Sequence, residues 1–201
     1  MLKRCLPALL TALLVSAAGT KVICSLGSNS SSYNPSADQR PSSDAMQLAA
    51  RVNAAVKTIC ANNCPAVALF RNATAANAML IADAGQGKLA YSPQFFAMVS
   101  DAYGDTGIIA IIAHELGHAL DDSLGAAWIK SSWTPELRAD SWAGCALARS
   151  TLSPKDLELA LNALAKYPSP SHPAWSARLP VVRTGYTSCG GDASKFDSAK
   201  H

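Results

Sequence analysis

An uninterrupted apolar run, Ile108 to Ala113, leads straight into His114-Glu115-Leu116-Gly117-His118. This junction limits what the chain can fold into more than any other stretch does. Read as a helix, the run is apolar on all sides, so the segment belongs inside a domain and carries the next residues on a rigid, dry support. Positions i and i+4 share a helix face, which places His114 and His118 together with Glu115 beside them. Two imidazoles at this spacing suit one Zn2+, and the carboxylate between them suits a general base at the open coordination position. The chain has four His and three Glu, and these five residues use two of the former and one of the latter. A buried helix with two satisfied histidines is the plain alternative.

The surrounding pattern predicts an α+β domain, mainly helical, with a small β-sheet. Ser43 or Asp44 caps a helix running to about Cys60, with Leu48, Val52, Val56 and Ile59 on one face. Strands are expected at Val67 to Phe70, around Met79 to Ala82, and at Lys88 to Tyr91, the last two joined by a turn at Gly85-Gln86-Gly87. Asp105 or Thr106 starts the helix that carries the His-Glu pair. Thr134-Pro135 and Ser153-Pro154 each place a cap before a proline at the first helical position, opening helices to about Arg149 and to a point before Tyr167-Pro168. A short helix is expected after His172-Pro173. Residues 190–201 read as a flexible polar tail.

A catalytic zinc usually has three protein ligands, so the two histidines call for a third downstream. Glu136 answers this from the first turn of the helix opened by Thr134-Pro135, 18 residues after His118. Asp140 comes next on the same face at i+4, placed to accept a hydrogen bond from the free ring nitrogen of a ligating histidine. Asp121 and Asp122 compete for the ligand role, but they sit one turn past His118 on its own helix and suit a helix end better.

Met1 to Ala18 has a basic start at Lys3 and Arg4, an apolar run from Leu6 to Val15, and small residues at Ser16-Ala17-Ala18. This predicts an export signal over residues 1–18, cleaved near Ala18; about 13 apolar residues fall short of the roughly 20 a spanning helix needs. Residues 19–43, poor in apolar side chains from Ser25 on, read as a flexible linker ahead of a domain at 44–189. Removing Lys3 and Arg4 takes the formal charge from +3 to +1, too little to favour nucleic acid, and the second apolar run is not expected to extend into a membrane span because His114, Glu115 and His118 follow it at once. The mature chain is expected in the periplasm or outside the cell, a lipoprotein anchored at Cys24 being the less favoured route because Ile23 is bulky. An oxidising compartment favours disulfides: Cys60 with Cys64, and Cys145 with Cys189, leaving Cys24 odd.

Three elements then combine: His114-Glu115-Leu116-Gly117-His118, Glu136-Leu137-Arg138-Ala139-Asp140, and Ser171-His172-Pro173 with Arg178-Leu179. In this order they resemble the HtpX-like and BepA-like gluzincin metallopeptidases, and Asn77-Ala78 with Gly87 to Ser92 is similar to that family's segment entering the active-site edge strand. The resemblance covers roughly residues 67–180. It implies one Zn2+ per chain held by His114, His118 and Glu136, with Glu115 as catalytic base. It also implies an edge strand at Lys88, Leu89, Ala90 and Tyr91 that binds substrate by strand addition, with Arg178 near the substrate. His172 falls in a family element beside the site, as an oxyanion donor or as a cap for the Pro173 helix. Neither the spanning helices of the family's membrane members nor the helical-repeat extension of its BepA-like members is expected from these residues.

The expected function is therefore that of an exported zinc endopeptidase acting on peptides or on unfolded or misfolded protein. Two other readings share the site: a zinc-containing binding or chaperone-like module with little turnover, and a zinc amidase acting on cell-wall peptides.

Overall fold

In the computed structural model, residues 21–25, 33–83, 86–167 and 171–199 are described, the backbone alone for 21–25 and 82–83. The expected export signal over residues 1–18 lies outside the described residues, as do Gly85 of the expected turn and Pro168. The elements are β1 (Lys21–Ser25), α1 (Ser43–Cys60), β2 (Val67–Arg71), β3 (Ala78–Asp83), β4 (Gln86–Tyr91), α2 (Pro93–Ser123), α3 (Pro135–Arg149), α4 (Pro154–Lys166), α5 (Trp175–Ser188) and α6 (Ala193–Ala199). The fold is α+β and mainly helical, as the sequence pattern predicted.

The sheet has the order β1-β3-β4-β2. β3 and β4 form an antiparallel hairpin with Leu80 opposite Leu89, while β2 runs parallel to β4 with Leu69 opposite Leu89. β4 is therefore an inner strand, hydrogen-bonded on both sides. This overturns the expectation that Lys88 to Tyr91 form a substrate-binding edge, because an incoming peptide needs unpaired N–H and C=O groups. The Lys88 ammonium is also engaged, donating to Asp38 at 2.8 Å.

Side-chain oxygens start α3 and α4 where the sequence placed caps: Thr134 accepts from the Leu137 N–H, and Ser153 forms a reciprocal capping box with Asp156. α1 is capped one residue earlier than expected, by Ser42 in place of Ser43 or Asp44, Ser42 accepting from the Ala45 N–H. The same device at Ser92-Pro93 starts α2 earlier than expected. Gly104, at φ 62° and ψ −167°, breaks that helix, and the expected segment from Asp105 onward is its second half. This second half is the axis of the core: every residue from Thr106 to Glu115 is buried. α2 is long and apolar enough to cross a membrane, and burial against α1, α3, α4 and the sheet accounts for that composition.

Two close approaches bring the helices into register. A Cβ on Gly117 would run into the Ala139 carbonyl, so glycine there lets α3 lie against the His114–His118 turn of α2. A Cβ on Gly185 would run into the Ser141 carbonyl, and its absence lets α5 lie against α3. The disulfides Cys60–Cys64 and Cys145–Cys189 are those expected, the second tying α3 to the end of α5.

Two expectations of flexibility are corrected. Residues 190–201 include α6, held by Phe196, which is fully buried against Tyr186, and by Arg183, which donates to both oxygens of Asp197 at 2.8 and 2.9 Å. One large apolar residue suffices where average composition suggests a loose tail. Within 19–43, β1 pairs with β3, and Asp38 accepts from Tyr33, Asn72 and Lys88. Gln39 and Arg71 exchange backbone hydrogen bonds of 2.8 and 3.0 Å. The described parts of this segment, 21–25 and 33–43, are held by polar pairing with the sheet, to which apolar content is blind.

Candidate metal centre

The i,i+4 spacing on α2 sets the His114 and His118 rings 5.1 Å apart between centroids. α3 meets them at Gly117 and brings Glu136 alongside, and the loop before α5 adds His172. Glu136 Oε2 lies 3.4 Å from His114 Nε2, 3.4 Å from His118 Nε2 and 3.0 Å from His172 Nε2. His172 Nε2 is also 3.1 Å from His114 Nε2. Three donor atoms, from His114, Glu136 and His172, thus converge, and His118 Nε2 approaches them through the Glu136 oxygen. Atoms bound tetrahedrally to one ion at 2.0–2.1 Å stand about 3.3 Å apart, close to these separations.

His114, Glu136 and His172 offer ligand atoms all within 4.8 Å of one another, and this group can hold a metal ion. Its chemistry, imidazole nitrogen with carboxylate oxygen, suits a divalent transition-metal ion. His118 Nε2 points to the same conclusion: it is buried without a hydrogen bond, since 3.4 Å to Glu136 is an ion-pair distance only. A buried imidazole nitrogen left unpaired is costly unless an ion takes it up.

Glu115 is wholly buried, and neither carboxylate oxygen makes a hydrogen bond of ordinary geometry. Burial pushes its pKa up to about 8, against the pull of His114 and of the Leu80 backbone N–H on β3. For Glu136 burial works upward, but the three imidazoles outweigh it and hold the carboxylate well below its usual range. Burial lowers His118 and His172. Burial acts the same way on His114, yet Asp140 and Glu136 carry it up to about 9.

Behind the centre stands a second layer. Asp140 Oδ1 faces His114 Nδ1 at 3.0 Å, as the sequence suggested, which leaves Nε2 of that ring directed at the ligand cluster. Arg178 then donates from Nε and Nη2 to the two oxygens of Asp140, both at 2.8 Å, and from Nη1 to the Leu164 carbonyl at 3.0 Å. Arg178 is only 1% exposed. Its expected role beside the substrate is thereby corrected: each of the three guanidinium nitrogens donates to a partner inside the protein. No local signal in the sequence ties Arg178 to Asp140, although an arginine among apolar helix neighbours hints at a buried carboxylate.

His172 sits at the centre. α5 begins at Trp175 with Ala174 as its cap, so His172 is not the cap of that helix. Asp121 lies apart and accepts from Arg138 Nε at 2.6 Å, the helix-end role preferred for it. Asp122 is exposed at the end of α2.

Fold and site together define an α+β domain, mainly helical, with a buried His–Glu–His group able to hold a metal ion. Comparison with protein-family models, with curated proteins and with solved structures found no match to this chain.

Proposed function

We propose that this chain is an exported zinc-dependent endopeptidase of the gluzincin type. The observation that carries the reading is Glu115, a buried carboxylate without a hydrogen bond, next in sequence to one ligand and three residues before another. A structural metal site has no use for such a group. The ordered resemblance of the His114, Glu136 and His172 elements to HtpX-like and BepA-like peptidases supports it, and two disulfides fit an oxidising compartment.

In this reading His114, His118 and Glu136 hold Zn2+, which when bound supplies Lewis acidity and lowers the pKa of water from 15.7 toward about 7. Glu115 accepts the proton of the attacking water and returns it to the leaving amine; its pKa near 8 in the metal-free protein suits exchange in both directions near neutrality. A nearby cation pulls that value down, so Glu115 starts the cycle ionised. Asp140 fixes the His114 ring through Nδ1, and Arg178 keeps Asp140 ionised. His172, at 3.0 Å from Glu136, is in this reading a donor to the charge that develops on the scissile carbonyl.

The test is digestion of an unfolded protein by the zinc-loaded chain, with metal content and chelator inhibition measured in parallel. The Glu115→Gln variant is expected to keep its metal and to lose at least about a hundredfold in rate. Undiminished proteolysis by that variant rejects the assignment.

A second reading has one observation in its favour. His172 brings a fourth donor within 3.1 Å of His114, and structural zinc sites are closed by four protein ligands. A metal-stabilised binding module would lose thermal stability in His172→Ala and show no turnover in either form. Peptidoglycan fragments offered beside unfolded protein separate a cell-wall amidase from an endopeptidase.

A further inference from the structure

β3 is the strand nearest the proposed catalytic base. α2 packs on it, and the Leu80 backbone lies near enough to the Glu115 carboxylate to draw its pKa down. β4 occupies one edge of β3. The other edge is covered by β1, which runs antiparallel with Lys21 opposite Ala82, Val22 opposite Ile81, Cys24 opposite Leu80 and Ser25 opposite Met79. The Cys24 backbone therefore faces the residue that addresses Glu115, across a strand spacing of about 5 Å. β1 also touches α2.

An extended peptide brought to Glu115 would need this edge, since β4 is paired on both sides and β2 lies at the far side of the sheet. β1 is weakly held there. It has five residues, and its register with β3 is broken between Val22 and Cys24, which interrupts the hydrogen-bond ladder. The chain is anchored elsewhere, independently of β1: Asp38 is bound to Lys88, Gln39 pairs with Arg71 on the opposite edge of the sheet, and α1 comes next. Release of β1 leaves those ties intact.

We propose that Lys21–Ser25 is the site's own strand-shaped occupant: it fills the β3 edge beside Glu115 in the place of an extended peptide and must detach before one can dock. The proposal rests on the peptidase reading for the identity of what docks, an unfolded chain in extended conformation. An intramolecular strand competes at high effective concentration, and the apparent affinity for an added peptide falls by the fraction of molecules with the edge free. If that fraction is about one in ten, freeing the edge improves apparent affinity about tenfold.

The test uses the zinc-loaded full chain carrying Glu115→Gln, with and without the pair Val22→Pro and Ile23→Pro. Successive N–H groups on an edge strand alternate in direction, so two adjacent prolines remove whichever faces β3. The probe is a fluorescein-labelled Lys-Val-Ile-Ser-Ser peptide followed by anisotropy, with amide exchange of residues 79–81 measured on the same samples. The proline pair is expected to speed exchange at 79–81 and to tighten peptide binding about tenfold, the peptide then slowing that exchange again. Unchanged exchange, equal affinity in both proteins, or no binding to either overturns the proposal. Proteolysis is assayed separately with Glu115 restored. Inactivity of both forms there rejects the peptidase reading, while the binding result still judges the strand.

Discussion

Arg178 grips Asp140 with two hydrogen bonds of 2.8 Å, although the two residues are 38 positions apart. Asp140 passes that restraint on to His114 Nδ1 at 3.0 Å. The candidate metal centre is thus braced from α5 through α3 to α2, with all three side chains essentially out of solvent.

Removing the middle member should loosen the ligand without removing it. Asp140→Asn is expected to weaken zinc affinity by about 10- to 100-fold, read by competition with a chelating dye. An unchanged affinity would show that Asp140 serves packing alone.

Arg178→Met keeps much of the volume but strands the Asp140 carboxylate in a dry interior. The expected loss is about 3–5 kcal/mol in urea unfolding of the zinc-loaded protein, because breaking one side of a buried pair leaves an uncompensated charge. The double variant Arg178→Met with Asp140→Asn should recover part of that loss. A single variant as stable as the parent contradicts the pairing.

Glu115 predicts a pH dependence in the metal-free protein. Burial raises its folded pKa to about 8 from 4.5, so the ionised form is disfavoured in the fold. No penalty is felt below the unfolded value near 4.5; above it, stability falls by about 1.4 kcal/mol per pH unit and levels off past about 8. Glutamine does not titrate. Metal-free Glu115→Gln should therefore match the parent near pH 4.5 and exceed it by a few kcal/mol at pH 8, measured by denaturant unfolding at both. A difference that does not vary with pH would mean that Glu115 is solvated.

Gly117→Ala should act on the centre through helix spacing. The added methyl meets the Ala139 carbonyl, and relieving that clash moves α3, with Glu136 on it, away from His114 and His118. Overpacking of this kind costs about 1–3 kcal/mol, and zinc affinity should fall together with stability. Loss of stability with full affinity would place the relaxation elsewhere.

The two disulfides should differ in weight. Cys145–Cys189 spans 44 residues and Cys60–Cys64 spans four. Loop-closure entropy puts the first at about 4 kcal/mol and the second at about 2. Paired Cys→Ala replacements followed by thermal unfolding check the order, which reversed values would contradict.

Most helices are legible in the sequence because their starts are local events. Ser42, Thr134 and Ser153 cap within their own first turn, which makes the starts of α1, α3 and α4 readable to within a residue or two. Ser92-Pro93 carries the same signal, but the apolar run further along points to Asp105 instead. Strand positions are legible from composition, and strand order is not. β2 joins β4 in parallel across an intervening hairpin, a pairing that no nearby residue specifies and that turns the expected edge strand into an inner one. α6 is hard to read because only Phe196 and the small Ala199 are buried along it.

The sequence by itself determined the part of the centre written in helix geometry. Four residues make just over one turn, so His114 and His118 share a face wherever that helix lies, and Asp140 shares a face with Glu136 on α3 for the same reason. Only the tertiary structure decided what surrounds them. Glycine contacts at 117 and 185 set the helices close enough for Glu136, His172 and Arg178 to arrive from distant parts of the chain, and hydrogen-bond pairing placed β3 beside Glu115 with β1 along its edge. Those outcomes depend on which buried charge finds which partner once the core has closed, and no short stretch of sequence carries that information.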